Sequence, residues 1–158
     1  WAEFNKQYKD CELKILGAPG SGSGLVQQAI SSLPKEQQKK VELIVKMVPE
    51  NERITYFQDS TICCFPSSAE AFGIVALEAQ ACEKPVVVGN VGGFKENVFE
   101  GITGIHVDGG NPSDIARGLK AAYCNKETWG INGRKSCKDF FDWNKITQRY
   151  IDELYEVS

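Results

Sequence analysis

Two carboxylates, Glu70 and Glu78, stand eight residues apart in the stretch Pro66-Ser67-Ser68-Ala69-Glu70-Ala71-Phe72-Gly73-Ile74-Val75-Ala76-Leu77-Glu78-Ala79-Gln80-Ala81-Cys82. On a continuous helix this is roughly 12 Å of rise and about two and a quarter turns. Both acids would line one side of the element without touching. They stand too far apart to share a proton, and too far for a two-carboxylate hydrolytic pair around one bond. The separation suits a ligand with hydroxyls at both ends and a charged middle. A nucleotide sugar, made of ribose, diphosphate and hexose, is such a ligand. Its diphosphate would lie over a helix N-terminus near Phe72 and Gly73, where free N–H groups and the positive end of the dipole favour anions. Gly73 has no side chain, so the backbone there can approach a phosphate closely. Two glutamates at this spacing are also ordinary on a solvated helix, and spacing alone does not decide between the two readings.

The elements that must position these residues follow from pattern. An apolar run over residues 61–65 reads as a strand ending at Pro66. Ser67 and Ser68 offer hydroxyls at the expected helix start, and the Ala-, Leu- and Glu-rich stretch after them favours helix. Pro85-Val86-Val87-Val88-Gly89 reads as a fully buried strand. Residues 1–8 read as the end of a helix, 11–17 as a strand, 25–32 as a helix and 41–48 as a strand. A short helix is expected from Pro49 through Phe57, another over 94–98, and a brief strand over 104–107. Asn111 and Pro112 make a good helix start, and a last helix covers 143–155. Strands alternating with helices at this spacing predict an α/β fold with a doubly wound, parallel, Rossmann-like sheet. Ligands in such sheets bind beyond the carboxyl ends of strands, where Gly17, Met47, Pro66 and Gly89 all fall.

The glycine-dense loop over residues 18–24 invites a dinucleotide-binding reading. Gly20-x-Gly22-x-Gly24 is not Gly-x-Gly-x-x-Gly, however, and no acidic residue closes the following strand. A turn near a phosphate site is the better reading.

Composition bounds the remainder. The 158 residues are 42% hydrophobic and 25% charged, as in a globular domain. A net charge of −3 gives no basic footprint, so nucleic acid is set aside as a partner. No apolar run approaches the length of a membrane span and no signal-peptide pattern is present. The expectation is a cytoplasmic protein, with peripheral attachment to the inner face of a membrane left open for a longer parent. Cysteines at 11, 63, 64, 82, 124 and 137 form no Cys-x-x-Cys and read as reduced, mostly buried thiols. His106 reads as structural, and Tyr123, Trp143 and Tyr150 as packing for the terminal helices. Because the chain starts at Trp1, it is expected to be a fragment of something longer, organised as a single nucleotide-sugar-binding domain over 1–158.

The string from Glu70 to Glu78, followed by Ala81-Cys82-Glu83-Lys84-Pro85-Val86-Val87, resembles the Glu-x7-Glu signature and succeeding segment of the family-4 retaining glycosyltransferases. Val91-Gly92-Gly93-Phe94-Lys95-Glu96, Glu100-Gly101-Ile102-Thr103-Gly104-Ile105 and Asp142-Trp143 extend the resemblance from the first strand to the chain's end. It implies the C-terminal, donor-binding domain of a two-domain GT-B enzyme, whose N-terminal domain would be a partner from the same protein. Such an enzyme moves a sugar from a nucleotide diphosphate to an acceptor hydroxyl on a glycan, lipid or other compound, retaining anomeric configuration.

By the same resemblance Glu70 is the candidate catalytic residue, contacting donor-sugar hydroxyls, and Glu78 binds the ribose. Amides of Phe72, Gly73, Ile74 and Val75 hold sugar and diphosphate, and the strand edge at Lys46 and Met47 meets the base. Gly17 and Ser67 complete the candidate substrate-binding set. No cofactor and no divalent metal are implied, and the sequence offers no Asp-x-Asp. Glu83 and Lys46 stand where the family usually has glycine. The family's diphosphate-neutralising Arg and Lys lie on a first strand and helix that nothing before Trp1 supplies. That strand would be central, beside the 11–17 and 61–65 strands, so the isolated fragment is expected to be inactive. A non-catalytic nucleotide-binding or interaction module on the same fold, a sugar-nucleotide epimerase and a phosphorylase are the alternatives.

Overall fold

Valines over residues 86–88 have β-branched side chains that favour strand and bury well on both sheet faces. In the computed structural model, which describes residues 1–20 and 22–156, they form β4 (Val86–Gly89), every residue of which is buried. β4 pairs in parallel with β3 (Cys63–Phe65) on one side and β5 (Gly104–Val107) on the other. The register sets Cys63 beside Val86 and Val86 beside Gly104. A Cβ at Gly104 would lie 2.4 Å from the Val86 carbonyl oxygen, so glycine there permits the close approach. Ser21, in the glycine-dense loop, and the last two residues of the expected 1–158 domain lie outside the described residues.

The described residues divide into two compact units, Trp1–Thr55 and Tyr56–Ser158. The second holds the three-stranded sheet. Helices α5 (Ile74–Ala81), α6 (Phe94–Asn97), α7 (Pro112–Cys124), α8 (Lys126–Phe140) and α9 (Trp143–Glu156) belong to it. Its core gathers Ala76 and Ala79 of α5, Val86 and Val88 of β4, and Phe94 and Val98 around α6. Phe57 meets Phe65 edge-on, with ring centroids 6.4 Å apart. Asn111 caps α7 as its sequence predicts. Its side-chain oxygen accepts the N–H groups of Ser113 at 3.0 Å and Asp114 at 3.3 Å, with Pro112 opening the helix.

The first unit holds α1 (Ala2–Gln7), then β1 (Leu13–Gly17), α2 (Ser23–Ser31), α3 (Lys35–Gln38) and β2 (Val41–Val45). β1 and β2 run parallel, Leu13 beside Val41 and Gly17 beside Val45. Neither strand has a fully buried residue. Buried Asn5 ties α1 to the next turn by donating to the carbonyls of Tyr8 at 3.2 Å and Cys11 at 3.1 Å. Gln37 donates in turn to Asn5 Oδ1 at 3.2 Å. α4 (Glu50–Asp59) contains the division between the units.

Three expectations need correction. The helix after Pro66 begins at Ile74, not behind Ser67 and Ser68, so Glu70 lies in a loop and only Glu78 is helical. β2 ends at Val45, which leaves Lys46 and Met47 in the loop that follows. Trp143 and Tyr150 do not pack: they are 78% and 65% exposed on α9. No described helix is long and apolar enough to cross a membrane.

Candidate functional site

The chain leaves each strand of the three-stranded sheet through a loop, and these loops meet over glycines. A Cβ at Gly89 would lie 2.0 Å from the Ser67 carbonyl oxygen, and one at Gly109 2.3 Å from that of Pro66. At Gly92 it would lie 1.7 Å from the Glu70 carbonyl oxygen, and at Gly93 2.3 Å from that of Phe72. The loop over residues 66–73 therefore rests directly on the loops after β4 and β5, and only glycine leaves room. Gly93 N–H also donates to the Glu70 carbonyl at 3.3 Å. This packing explains the late helix start, because these backbone contacts hold the segment out of helical conformation until Gly73. With φ at +85°, Gly73 turns the chain into α5 in a region that side chains disfavour. A Cβ there would also strike the Phe94 ring at 2.6 Å.

This turn places Glu70 at the head of α5. Its Oε1 accepts the Gly73 N–H at 3.2 Å, a carboxylate at the positive end of a helix. Ala76 N–H goes to the Gly73 carbonyl at 3.0 Å. The N–H groups of Ile74 and Val75 are left as the open donors of the first turn among the described residues. Phe72 and Ile74 flank them with apolar side chains 48% and 61% exposed. Glu78 lies one turn further along the same helix and is half-buried, as is Glu70. Open N–H donors at the head of a helix, with a carboxylate before and after them in sequence and exposed apolar neighbours, suit an anion that carries hydroxyl groups.

Against this turn lie two buried amides that the sequence reading did not single out. Asn97 Nδ2 donates to the Phe72 carbonyl, and Gln80 Nε2 donates to the Asn97 carbonyl at 3.1 Å. Both side chains are 0% exposed. In the sequence Gln80 stands between two alanines, whereas Asn97 follows Lys95 and Glu96 and carries no such signal.

The loop after β5 is fixed by charge. Asp114 accepts the Asp108 N–H at 2.7 Å and meets Arg117 Nε at 2.6 Å. The hydrogen bond from Arg117, and then the Asp108 amide, hold its carboxyl below the usual carboxylate range. His106 is tied on both sides: Nδ1 meets Glu100 Oε2 at 2.7 Å and Nε2 meets the Phe94 carbonyl at 3.1 Å. Burial pushes the thiols of Cys63, Cys64 and Cys137 up to about 11, so they are poor nucleophiles.

The remaining candidates belong to the first unit. Gly17 ends β1 and is exposed. Met47 is 78% exposed, and Lys46 Nζ meets Glu52 Oε1 at 2.6 Å.

Parallel sheets with flanking helices, and loops meeting past the carboxyl ends of the three-stranded sheet, define a Rossmann-like architecture of the GT-B kind. The family model of Glycosyl transferases group 1 matches residues 1–136, and the chain belongs to that family. A D-inositol 3-phosphate glycosyltransferase of Arthrobacter sp. (strain FB24) is 35% identical over 151 residues, covering 92% of this chain and 35% of the relative. The chain spans about a quarter to a third of the first curated relatives it matches, 26% and 35% of their lengths. A glycosyltransferase structure from Rickettsia africae ESF-5 superposes with a TM-score of 0.80 at 20% identity, covering 99% of this chain and 42% of that one. Anabaena Alr3699/HepE in complex with UDP superposes at 0.75 and 20% identity, covering 98% and 44%.

Proposed function

We propose that this chain is the donor-binding part of a glycosyltransferase that moves a sugar from a nucleoside diphosphate sugar to an acceptor hydroxyl with retention of anomeric configuration. The observation that carries the reading is the head of α5, where open N–H groups at Ile74 and Val75 lie between Glu70 before them and Glu78 after them. The pyrophosphate binds those amides, Glu78 holds the ribose, and Glu70 holds hydroxyls of the sugar. UDP is the first nucleotide to test, given its presence in the HepE structure.

The barrier to transfer lies in separating a diphosphate from an oxocarbenium-like sugar. Donors fixed on the leaving phosphate lower it because they are already oriented when the charge develops. Hydroxyl contacts hold the anomeric carbon in line with its acceptor. Gly17, Lys46, Met47 and Ser67 are proposed as further binding residues, with the loop at Lys46 and Met47 meeting the base through its backbone. The rest of a longer protein supplies the acceptor site. A polyol phosphate is the first acceptor to try, since curated relatives are named for D-inositol 3-phosphate. No divalent metal takes part. The reaction is placed in the cytoplasm, at the inner face of a membrane if the acceptor is a lipid.

Calorimetric titration of the full-length protein with UDP, GDP and ADP tests this reading. One nucleotide should bind at submillimolar concentration, and Glu78→Ala should weaken it about tenfold, the loss of a charge-assisted hydrogen bond. No binding of any of the three, with the protein folded, would favour a non-catalytic module.

A further inference from the structure

Resting on the reading of Glu70 as a donor contact, we propose that Asn97 is a positioning residue for Glu70, acting through the peptide unit between Phe72 and Gly73. That unit is held from both sides. Its C=O accepts the Asn97 amide, and its N–H donates to Glu70 Oε1 at 3.2 Å. In a trans peptide the C=O and N–H point in opposite directions, so a partner that fixes one aims the other.

The unit needs such a clamp. Gly73 sits at φ +85° with no side chain of its own, and a peptide beside glycine rotates at little steric cost. Rotation would turn the Phe72 carbonyl toward the Glu70 carboxylate and drive the two oxygens apart. Asn97 opposes this from a rigid seat. Its own N–H donates to the Gly93 carbonyl at 3.1 Å, and its carbonyl accepts Gln80 Nε2 at 3.1 Å. Burial alone would favour leucine at 97, because a buried amide is costly unless bonded. The Phe72 carbonyl is the partner of Asn97 Nδ2, while Asn97 Oδ1 is buried with no hydrogen-bond partner among the described residues. Gln80 carries the seat back into the last turn of α5, so Glu70 is referenced to the helix at whose N-terminus it stands.

The test reads the Gly73 amide directly. Phe72–Gly73 is the one Phe-Gly pair in this chain. Carbonyl-labelled phenylalanine with nitrogen-labelled glycine, in the full-length protein, reduces the spectrum to Phe-Gly amides, among which Glu70→Gln identifies this one by the shift it causes. In the Asn97→Leu background, Glu70→Gln should leave that resonance unmoved, because the N–H no longer meets residue 70. Asn97→Asp keeps the volume and replaces the donor by an acceptor, so it gives the same reading should the leucine variant fail to fold. Turnover of UDP-glucose should fall on the order of tenfold or more in either variant. The affinity for UDP, which lacks the sugar, should stay within about twofold of wild type.

An equal Gly73 shift in both backgrounds overturns the proposal, whatever happens to turnover. Loss of the coupling supports it. If Glu70→Gln alone leaves UDP-glucose turnover intact, the donor reading of Glu70 fails while the mechanical link from Asn97 stands.

Discussion

The carbonyl oxygen of Glu83 lies so close to Gly130 that a Cβ on Gly130 would sit 2.2 Å from it. This contact joins the end of α5 to the second turn of α8. Glu83 itself adopts φ +61°, the left-handed position that ends a helix in a Schellman motif. The motif's two bonds are present, Lys84 N–H to the Ala79 carbonyl at 3.1 Å and Glu83 N–H to the Gln80 carbonyl at 2.9 Å.

Glycine suits that left-handed position better than glutamate. Glu83→Gly should stabilise the protein by roughly 0.5–1 kcal/mol, a rise of about 1–4 °C in Tm. The lost Glu83–Arg134 pair, at 3.5 Å and about half exposed, offsets little of this. Gly130→Ala should cost about 1–3 kcal/mol, since a backbone carbonyl must move to admit the methyl group. Thermal unfolding of the two variants checks both signs.

Hydrogen exchange should divide the chain. β4 is buried throughout and paired on both edges, whereas β1 and β2 form a two-stranded sheet without a fully buried residue. Amides of Val87 and Val88 should exchange at the slowest rates, and those of β1 and β2 orders of magnitude faster. Equal protection of the two sheets would contradict this.

Thiol chemistry follows burial. Native-state alkylation with iodoacetamide at pH 8 should label exposed Cys124 first and Cys63, Cys64 and Cys137 last. The same groups make an alkaline limit. Their thiols titrate near 11 in the folded chain and lower when unfolded, so the unfolded state loses protons first as pH rises. Stability should fall between about pH 9 and 11, the interval between the ordinary cysteine value and the raised one. Replacing Cys63 by alanine should reduce that slope.

On the proposed reading, in which backbone N–H groups rather than a metal ion hold the donor diphosphate, excess EDTA should leave sugar-nucleotide turnover by the full-length protein within about twofold. Loss of activity on chelation, restored by Mn²⁺ or Mg²⁺, would point instead to a metal bridge on the diphosphate.

Much of this was readable from the chain. Val86-Val87-Val88 announces a buried strand, Asn111-Pro112 announces α7, and the string from Glu70 to Glu78 announces the family. The start of α5 was hidden, because glycines 89, 92, 93 and 109, distant in sequence, hold residues 66–73 out of a helix that local propensity favours. α8 was missed for a related reason. Gly130 and Gly133 lower its helical propensity, yet they are where α8 meets Glu83 and Gln80. Asn97 gave no local sign of its partner, since the Phe72 carbonyl lies 25 residues earlier.

The most direct test of the central claim is a crystal structure of the full-length protein with UDP bound. The diphosphate oxygens should lie about 3 Å from the Ile74 and Val75 nitrogens, with the Glu78 carboxylate on the ribose hydroxyls. A diphosphate bound away from the head of α5, or a Glu78 carboxylate turned from the nucleotide, would contradict it.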